Sequence, residues 1–268
     1  MLTRREMLTT AALGTAALGL PGWAREEKIR LGVASYSLRK FKRPQAIEMI
    51  KACGVSYVNI KSFHLDYKLS PEELAAGRKE FDDAGLRVVG SGNNNIGKEA
   101  DIAPLFEYAK HARFNLLVIA PKAELLPAVE AAVKRTGIAV AIHNHGPEDK
   151  IFPAPSDALK LIKDMDPRVG LCVDVGHTTR TGKDVVQEIA DAGARVLDLH
   201  MKDLKDLMNK NTQCPVGEGK MPVKEIFAQL LKQGFKGCAN LEYEIDADNP
   251  LPGMQKSFEF MRRAAAAV

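Results

Sequence analysis

From residue 25 onward, short apolar runs rich in β-branched residues alternate with longer stretches whose apolar positions recur every three or four residues. The strand-like runs lie at 29–34, 57–60, 87–90, 116–120, 138–142, 169–173, 196–199 and 239–243. Helical periodicity follows them, for example over 44–52, 71–84, 124–135, 156–164, 183–192, 223–233 and 252–266. Several helical stretches open on proline, as at Ser70-Pro71, and several close at Gly54, Gly85, Gly137, Gly193 and Gly234. Those are the residues that start and stop helices for steric reasons. Eight β/α units with no low-complexity linker predict an α/β fold, a closed (β/α)8 barrel forming a single domain over residues 25–268. An open doubly wound sheet would need a glycine-rich phosphate loop after an early strand. Gly90-Ser91-Gly92 lacks the third glycine, and Asn93-Asn94-Asn95 reads as a continuing loop.

The first 24 residues break this rhythm. Arg4-Arg5 precedes an uncharged apolar stretch at 7–20, and Gly22 and Ala24 suit a signal peptidase cut after Ala24. The stretch is shorter than the ~20 residues a membrane-spanning helix needs, so no stable membrane anchor is expected. Thr3-Arg4-Arg5-Glu6-Met7-Leu8 resembles the twin-arginine (Tat) export signal. That resemblance implies passage through the Tat translocase as a folded, metal-loaded protein, and a periplasmic or secreted destination.

Composition narrows the class. With 46% hydrophobic and 27% charged residues the 268-residue chain is an ordinary globular sequence. Its net charge of +4 is spread along the chain, and one Trp with 6% aromatics offers little base-stacking surface. No nucleic-acid partner is expected. The four cysteines form no CxxC pair, so a zinc ribbon or dithiol site is not indicated. Cys172 and Cys238 lie in apolar runs and read as small core residues, while disulfides are left open by the compartment.

The active site of such a barrel lies at the carboxyl ends of its strands. The fifth run ends in His143-Asn144-His145-Gly146, the sixth in Asp174-Val175-Gly176-His177, the seventh in His200-Met201-Lys202-Asp203 and the eighth in Glu242-Tyr243-Glu244. Strand alternation puts His143 and His145 on one face and Glu242 and Glu244 on another. Burying so many such groups together is costly without a cation. Imidazole and carboxylate donors without cysteine suit Mn2+, Zn2+, Fe2+ or Co2+ at a site that is not structural zinc.

Asp174-Val-Gly-His177, His200-Met-Lys-Asp203, Val216-Gly-Glu-Gly219 and Leu241-Glu-Tyr-Glu244 resemble the motifs of the sugar phosphate isomerase/epimerase family, with its xylose isomerase-like TIM barrel. The resemblance covers essentially the whole mature chain. It implies metal ligands at the ends of the last four strands: His143, Asp174, His200 and Glu242. His143 stands where many ketose epimerases of that family carry the glutamate that shares proton transfer with its counterpart on the last strand. Glu148, in the following loop, is the alternative carboxylate ligand. One divalent metal is expected, Mn2+ first, with Zn2+, Co2+ or Fe2+ as alternatives.

A metal held by three or four side chains leaves room for two substrate oxygens. Chelation of a hydroxyketone acidifies the neighbouring C–H, and a base takes the proton to give a metal-stabilised enediolate. Return of the proton gives epimerisation or isomerisation; loss of a β-substituent gives elimination. Candidate catalytic groups are Glu242, Glu244, His145 and Lys202, the last either stabilising the enediolate or pairing with Asp203. His177, Asn93 and Lys61 are candidates for substrate binding, with Asn94 and Ser35-Tyr36-Ser37 of similar standing. The main expectation is a sugar isomerase or epimerase acting on a small-molecule carbohydrate, and a lyase acting on a keto-sugar such as a 3-keto-glycoside is the alternative. A non-catalytic sugar-binding protein would need fewer acid–base groups. A nuclease like endonuclease IV would need histidines after strands three and four, which are missing. A homo-oligomer is compatible with the sequence.

Overall fold

The computed structural model describes residues 28–268, so the export signal read over residues 1–24 lies outside the described residues. Eight parallel strands close a barrel: β1 (Leu31–Ala34), β2 (Tyr57–Ile60), β3 (Arg87–Ile96), β4 (Leu116–Pro121), β5 (Ala139–His143), β6 (Val169–Asp174), β7 (Val196–Met201) and, after a small antiparallel hairpin of β8 (Asp203–Leu204) and β9 (Gln213–Cys214), β10 (Ala239–Leu241). Each barrel strand pairs with its sequence neighbour, and β10 closes on β1. Around them run α1 (Arg43–Ala52), α2 (Pro71–Asp83), α3 (Ile102–His111), α4 (Leu126–Thr136), α5 (Pro155–Ile162), α6 (Val175–Arg180), α7 (Val185–Ala192), α8 (Val223–Lys232) and α9 (Leu251–Ala266). Among the described residues no helix is long and apolar enough to cross a membrane.

The periodic stripes do what their spacing predicts. Ile50, Phe81, Phe106, Val133, Phe227 and Phe258 are buried on the helices against the outer faces of the strands. Val118, Ala141 and Cys172 form a separate small cluster inside the barrel. Ser70 caps α2: its side chain accepts from the Glu73 amide while Glu73 reaches back to the Ser70 amide. All four cysteines are buried, and no disulfide joins them among the described residues.

The differences from the sequence reading fall at the strand ends. The third strand does not stop at Gly90 but runs to Ile96, with a register irregularity against β4 between Ser91 and Asn94. Glycine and asparagine are poor strand formers, yet Asn94 stitches the extension by donating to Ser91 Oγ and to the Val118 carbonyl at 3.0 Å. The sixth strand ends at Asp174, and Val175-Gly176-His177 begins α6. Asp174 Oδ1 accepts the His177 amide at 2.8 Å and so caps that helix. The last strand stops at Leu241. Glu242 and Glu244 are fixed instead by Gln213, which donates to the Glu242 carbonyl and accepts the Glu244 amide.

Candidate metal centre and its cavity

The strand register sets the site. Asp174 pairs with His200 across β6 and β7, His200 pairs with Asn240 across β7 and β10, and His143 is the last residue of β5. All three side chains point into the carboxyl-terminal mouth, joined there by Glu242 just beyond β10. His143 Nε2 lies 3.0 Å from His200 Nδ1 and 3.6 Å from Asp174 Oδ2, and His200 Nδ1 lies 3.2 Å from Glu242 Oε2. One donor atom from each of the four residues falls within 4.8 Å of the others. Donors on ~2.1 Å bonds at right angles stand about 3 Å apart, so this spacing suits one small divalent cation. Asp174 Oδ2 is fully buried and accepts no hydrogen bond of good geometry, although the Lys202 ammonium is 2.9 Å away.

Charge leads to the same fit. The buried Lys202 ammonium touches Asp174 Oδ2 and Glu242 Oε2 at 2.9 Å and Glu244 Oε2 at 2.7 Å. Three carboxylates face one ammonium, and against the effect of burial the His200 pKa is held well above its ordinary value by Cys172 and Glu242, so the remaining negative charge attracts a proton there that a divalent cation would displace. Burial pulls the Lys202 pKa down, but the three carboxylates outweigh it and hold the group well above its ordinary value. Burial likewise pushes Glu242 up, and His200 and Lys202 outweigh it and hold that carboxyl well below the usual range. His143 is driven well below its ordinary value by burial and by His200. Cys172, with His143 and His200, forms a second group of potential ligands. Burial pushes its thiol up to about 12, so it stays protonated and is the poorer donor.

The cavity above the four ligands is about 200 Å³. On the side opposite Glu242, His145 Nε2 lies 2.8 Å from Asn93 Nδ2 and Nδ1 lies 3.3 Å from Asp149 Oδ2. With the Asn93 amide donating, Nδ1 carries the proton towards Asp149 and the Nε2 lone pair accepts from Asn93, so His145 is a base only once a substrate group displaces that amide. Lys61 contacts the Asn93 carbonyl. Burial lowers its pKa against the pull of Glu242. His177 lines the same cavity, its Nε2 3.9 Å from Asp174 Oδ2, and burial lowers its pKa against that carboxylate.

The structure therefore brings together His143, Asp174, His200, Glu242, Glu244, His145, His177, Asn93 and Lys61. Three expectations change. Glu148 does not swing back as a ligand: it is ion-paired with Arg180 and with Lys210 at 3.3 Å, and lines a neighbouring cleft. Lys202 neither pairs with Asp203 nor lines the cavity, but contacts three carboxylates at once, those of Asp174, Glu242 and Glu244. Gly176 makes this contact: a Cβ there would come within 2.7 Å of the Lys202 stem. Asn94 is spent on the backbone and does not reach the metal cavity.

Two roles escaped the sequence reading. Asp149 orients His145, and its only sequence trace is the four-residue spacing from that histidine. Asp203, buried, accepts the amides of Gly217, Gly219 and Met221 and of its neighbour Leu204. A Cβ at Gly219 would collide with its carboxylate, which explains the Val-Gly-Glu-Gly motif as a turn wrapped around Asp203.

A family model described as the xylose isomerase-like TIM barrel matches residues 122–264, and the chain belongs to that family. It is 26% identical over 149 residues to the rhizopine catabolism protein MocC of Rhizobium meliloti, covering 49% of this chain and 45% of that one. The chain thus spans about half the length of the curated relative it matches. A solved structure of an uncharacterized protein from Parabacteroides distasonis has a TM-score of 0.70 at 25% identity, covering 88% of this chain and 99% of that one. The 3-keto-D-glucoside 4-epimerase of E. coli has a TM-score of 0.69 at 17% identity, with 88% and 99% covered. The probable 3-DHS dehydratase AsbF of Bacillus anthracis has a TM-score of 0.72 at 12% identity, with 87% and 98% covered.

Proposed function

We propose that this member of the xylose isomerase-like TIM barrel family is a metal-dependent isomerase or epimerase of a sugar or keto-sugar. One observation carries the reading: four convergent candidate ligands, His143, Asp174, His200 and Glu242, lie beside a histidine, His145, whose Nδ1 is held by the Asp149 carboxylate. A divalent cation in that set, Mn2+ first, supplies polarisation of a substrate carbonyl. This chain's residues do the rest. Glu242, or His145 Nε2 once substrate displaces the Asn93 amide from it, takes the proton from the carbon next to the carbonyl, and the C–H electron pair moves into an enediolate C=C bond. Glu242 and His145 stand on different walls, since β6 and β7 separate their strands. A proton taken by one and returned by the other reaches the opposite face, which is epimerisation; return to the neighbouring carbon is isomerisation. Lys202 keeps the carboxylates ionised and in place. His177, Lys61 and Asn93 are placed to hold substrate hydroxyls.

Elimination is the second reading, favoured by His143 standing where the related ketose epimerases carry glutamate and by the likeness to a dehydratase. There the same abstraction is followed by departure of a β-substituent with its electron pair. Export through the Tat route would bring the site to unphosphorylated sugars, which agrees with a cavity lined by no arginine.

The test is proton exchange. Mature chain loaded with Mn2+ is incubated in D2O with a panel of ketoses and 3-keto-sugars, and C–H loss is followed by NMR. The expected result is metal-dependent deuterium incorporation next to the carbonyl, abolished in Asp174→Ala. A loaded wild-type protein that exchanges no proton on any member refutes the reading.

A further inference from the structure

The cavity over the metal ligands is about 200 Å³, room for one sugar ring, but it does not end the recess. Across Lys61, Asn93 and His145, which line both, it adjoins a cleft of about 630 Å³ bounded by residues 61–67, by the end of β3 and by the start of α3. We propose that this cleft is a subsite for the second pyranose ring of a glycoside, so that the substrate is a glycoside with one ring over the ligands and one beyond Asn93. The inference rests on the sugar reading above and names its substrate class.

Each wall is preformed. The loop after β2 is anchored by the buried His64, whose Nδ1 lies 2.9 Å from Ser35 Oγ and whose Nε2 lies 3.1 Å from the Phe41 carbonyl. Tyr108 Oη on α3 donates to the Leu65 carbonyl at 2.9 Å. These anchors present Tyr67, which is 54% exposed and packs edge-on against Tyr108 with ring centroids 6.2 Å apart. An exposed aromatic ring on a fixed loop offers a flat apolar surface to the C–H face of a sugar.

The polar groups around it are uncommitted. Ser62 and Asn95 line the cleft and make no side-chain hydrogen bond. At the junction of cavity and cleft, Asn93 Oδ1 is buried with no partner while its Nδ2 holds His145. Whichever way that amide is turned, one of its polar atoms is unpaired, a cost that a hydroxyl between the two rings would remove. The lining also argues against a phosphate or carboxylate substituent. Its one cation, Lys61, is engaged with the Asn93 carbonyl, and Asp101 adds a negative charge.

Calorimetry on the Mn2+-loaded mature chain tests this with methyl β-D-glucoside, cellobiose and maltose, each also as the 3-keto derivative. At least one disaccharide linkage should bind roughly tenfold tighter than the methyl glucoside of the same oxidation state, about what one well-placed aromatic contact provides. Tyr67→Ala should bring that ratio close to one, and Asn95→Trp, which fills the cleft, should do the same by exclusion. If the methyl glucoside binds as tightly as both disaccharides, or the ratio survives both substitutions, the subsite is refuted and the sugar reading stands. If no sugar of the panel binds, both fall together.

Discussion

The rim built from β5, β6, β7 and β10 carries His143, His145, Asp174, His177, His200, Lys202, Glu242 and Glu244, whereas the rim from β1 to β3 offers Ser35, Tyr36, Asn59, Lys61 and Asn93. The first side is ionised, buried and mutually dependent, because each charge is tolerated only through its neighbours. The second is largely neutral and hydrogen-bonding, with the buried side-chain oxygens of Asn59 and Asn93 left without a partner. Such a division assigns chemistry to one half of the mouth and recognition to the other. The stretch matched by the family model, 122–264, coincides with the ionised half.

The largest effects should come from breaking the ionised side. Asp174→Ala or His200→Ala should remove bound metal and reduce activity to background, measured by elemental analysis and turnover on the same samples. Metal at full occupancy in either variant would mean the ligands are misassigned. Glu242→Gln keeps the shape and one oxygen donor but removes a base. It should lose about 10²–10⁴-fold in turnover while retaining a substantial fraction of the metal, and Glu244→Gln should lose far less. Near wild-type turnover by Glu242→Gln alongside a dead His145 variant would move proton abstraction to the other wall.

The recognition side should respond differently. Lys61→Ala is expected to raise KM roughly tenfold with a smaller change in kcat, the pattern of lost uniform binding, and to leave metal content unchanged. A collapse of kcat with KM intact would erase the distinction between the two halves.

Much of this was legible because backbone chemistry and side-chain chemistry coincide at strand ends. Periodicity located all eight barrel strands, and His143, Asp174 and His200 end up at or near the carboxyl ends of β5, β6 and β7 as alternation requires. What escaped was set by tertiary contacts that leave no periodic trace. The Gly90–Asn95 segment reads as loop but is held as strand by the side chain of Asn94. Asp203 looks like a partner for Lys202, yet its carboxylate is taken by backbone amides beyond Gly217, more than a dozen residues away. Lys202 is a neighbour of the candidate ligand His200 in sequence, but only the folded structure shows that it contacts Asp174, Glu242 and Glu244.

The smallest expected effect concerns the anchor on the recognition side. Burial lowers the pKa of His64 against the pull of its backbone hydrogen bonds to Phe41 and Leu38. The folded state therefore disfavours the protonated ring, whereas the unfolded chain takes up that proton near pH 6.5. Stability from this group is present above that pH and is lost as pH falls from about 6.5 through the lowered folded value. In urea titrations between pH 7.5 and 5, the stability gap between wild type and His64→Gln should narrow as pH falls. A gap that widens would reverse the sign.

The ligand set itself is best tested by anomalous diffraction from crystals of the mature chain grown with Mn2+. The expected result is one anomalous peak within bonding distance of His143, Asp174, His200 and Glu242. A peak held by other residues, or none while Lys202 alone bridges Asp174 and Glu242, would contradict the account.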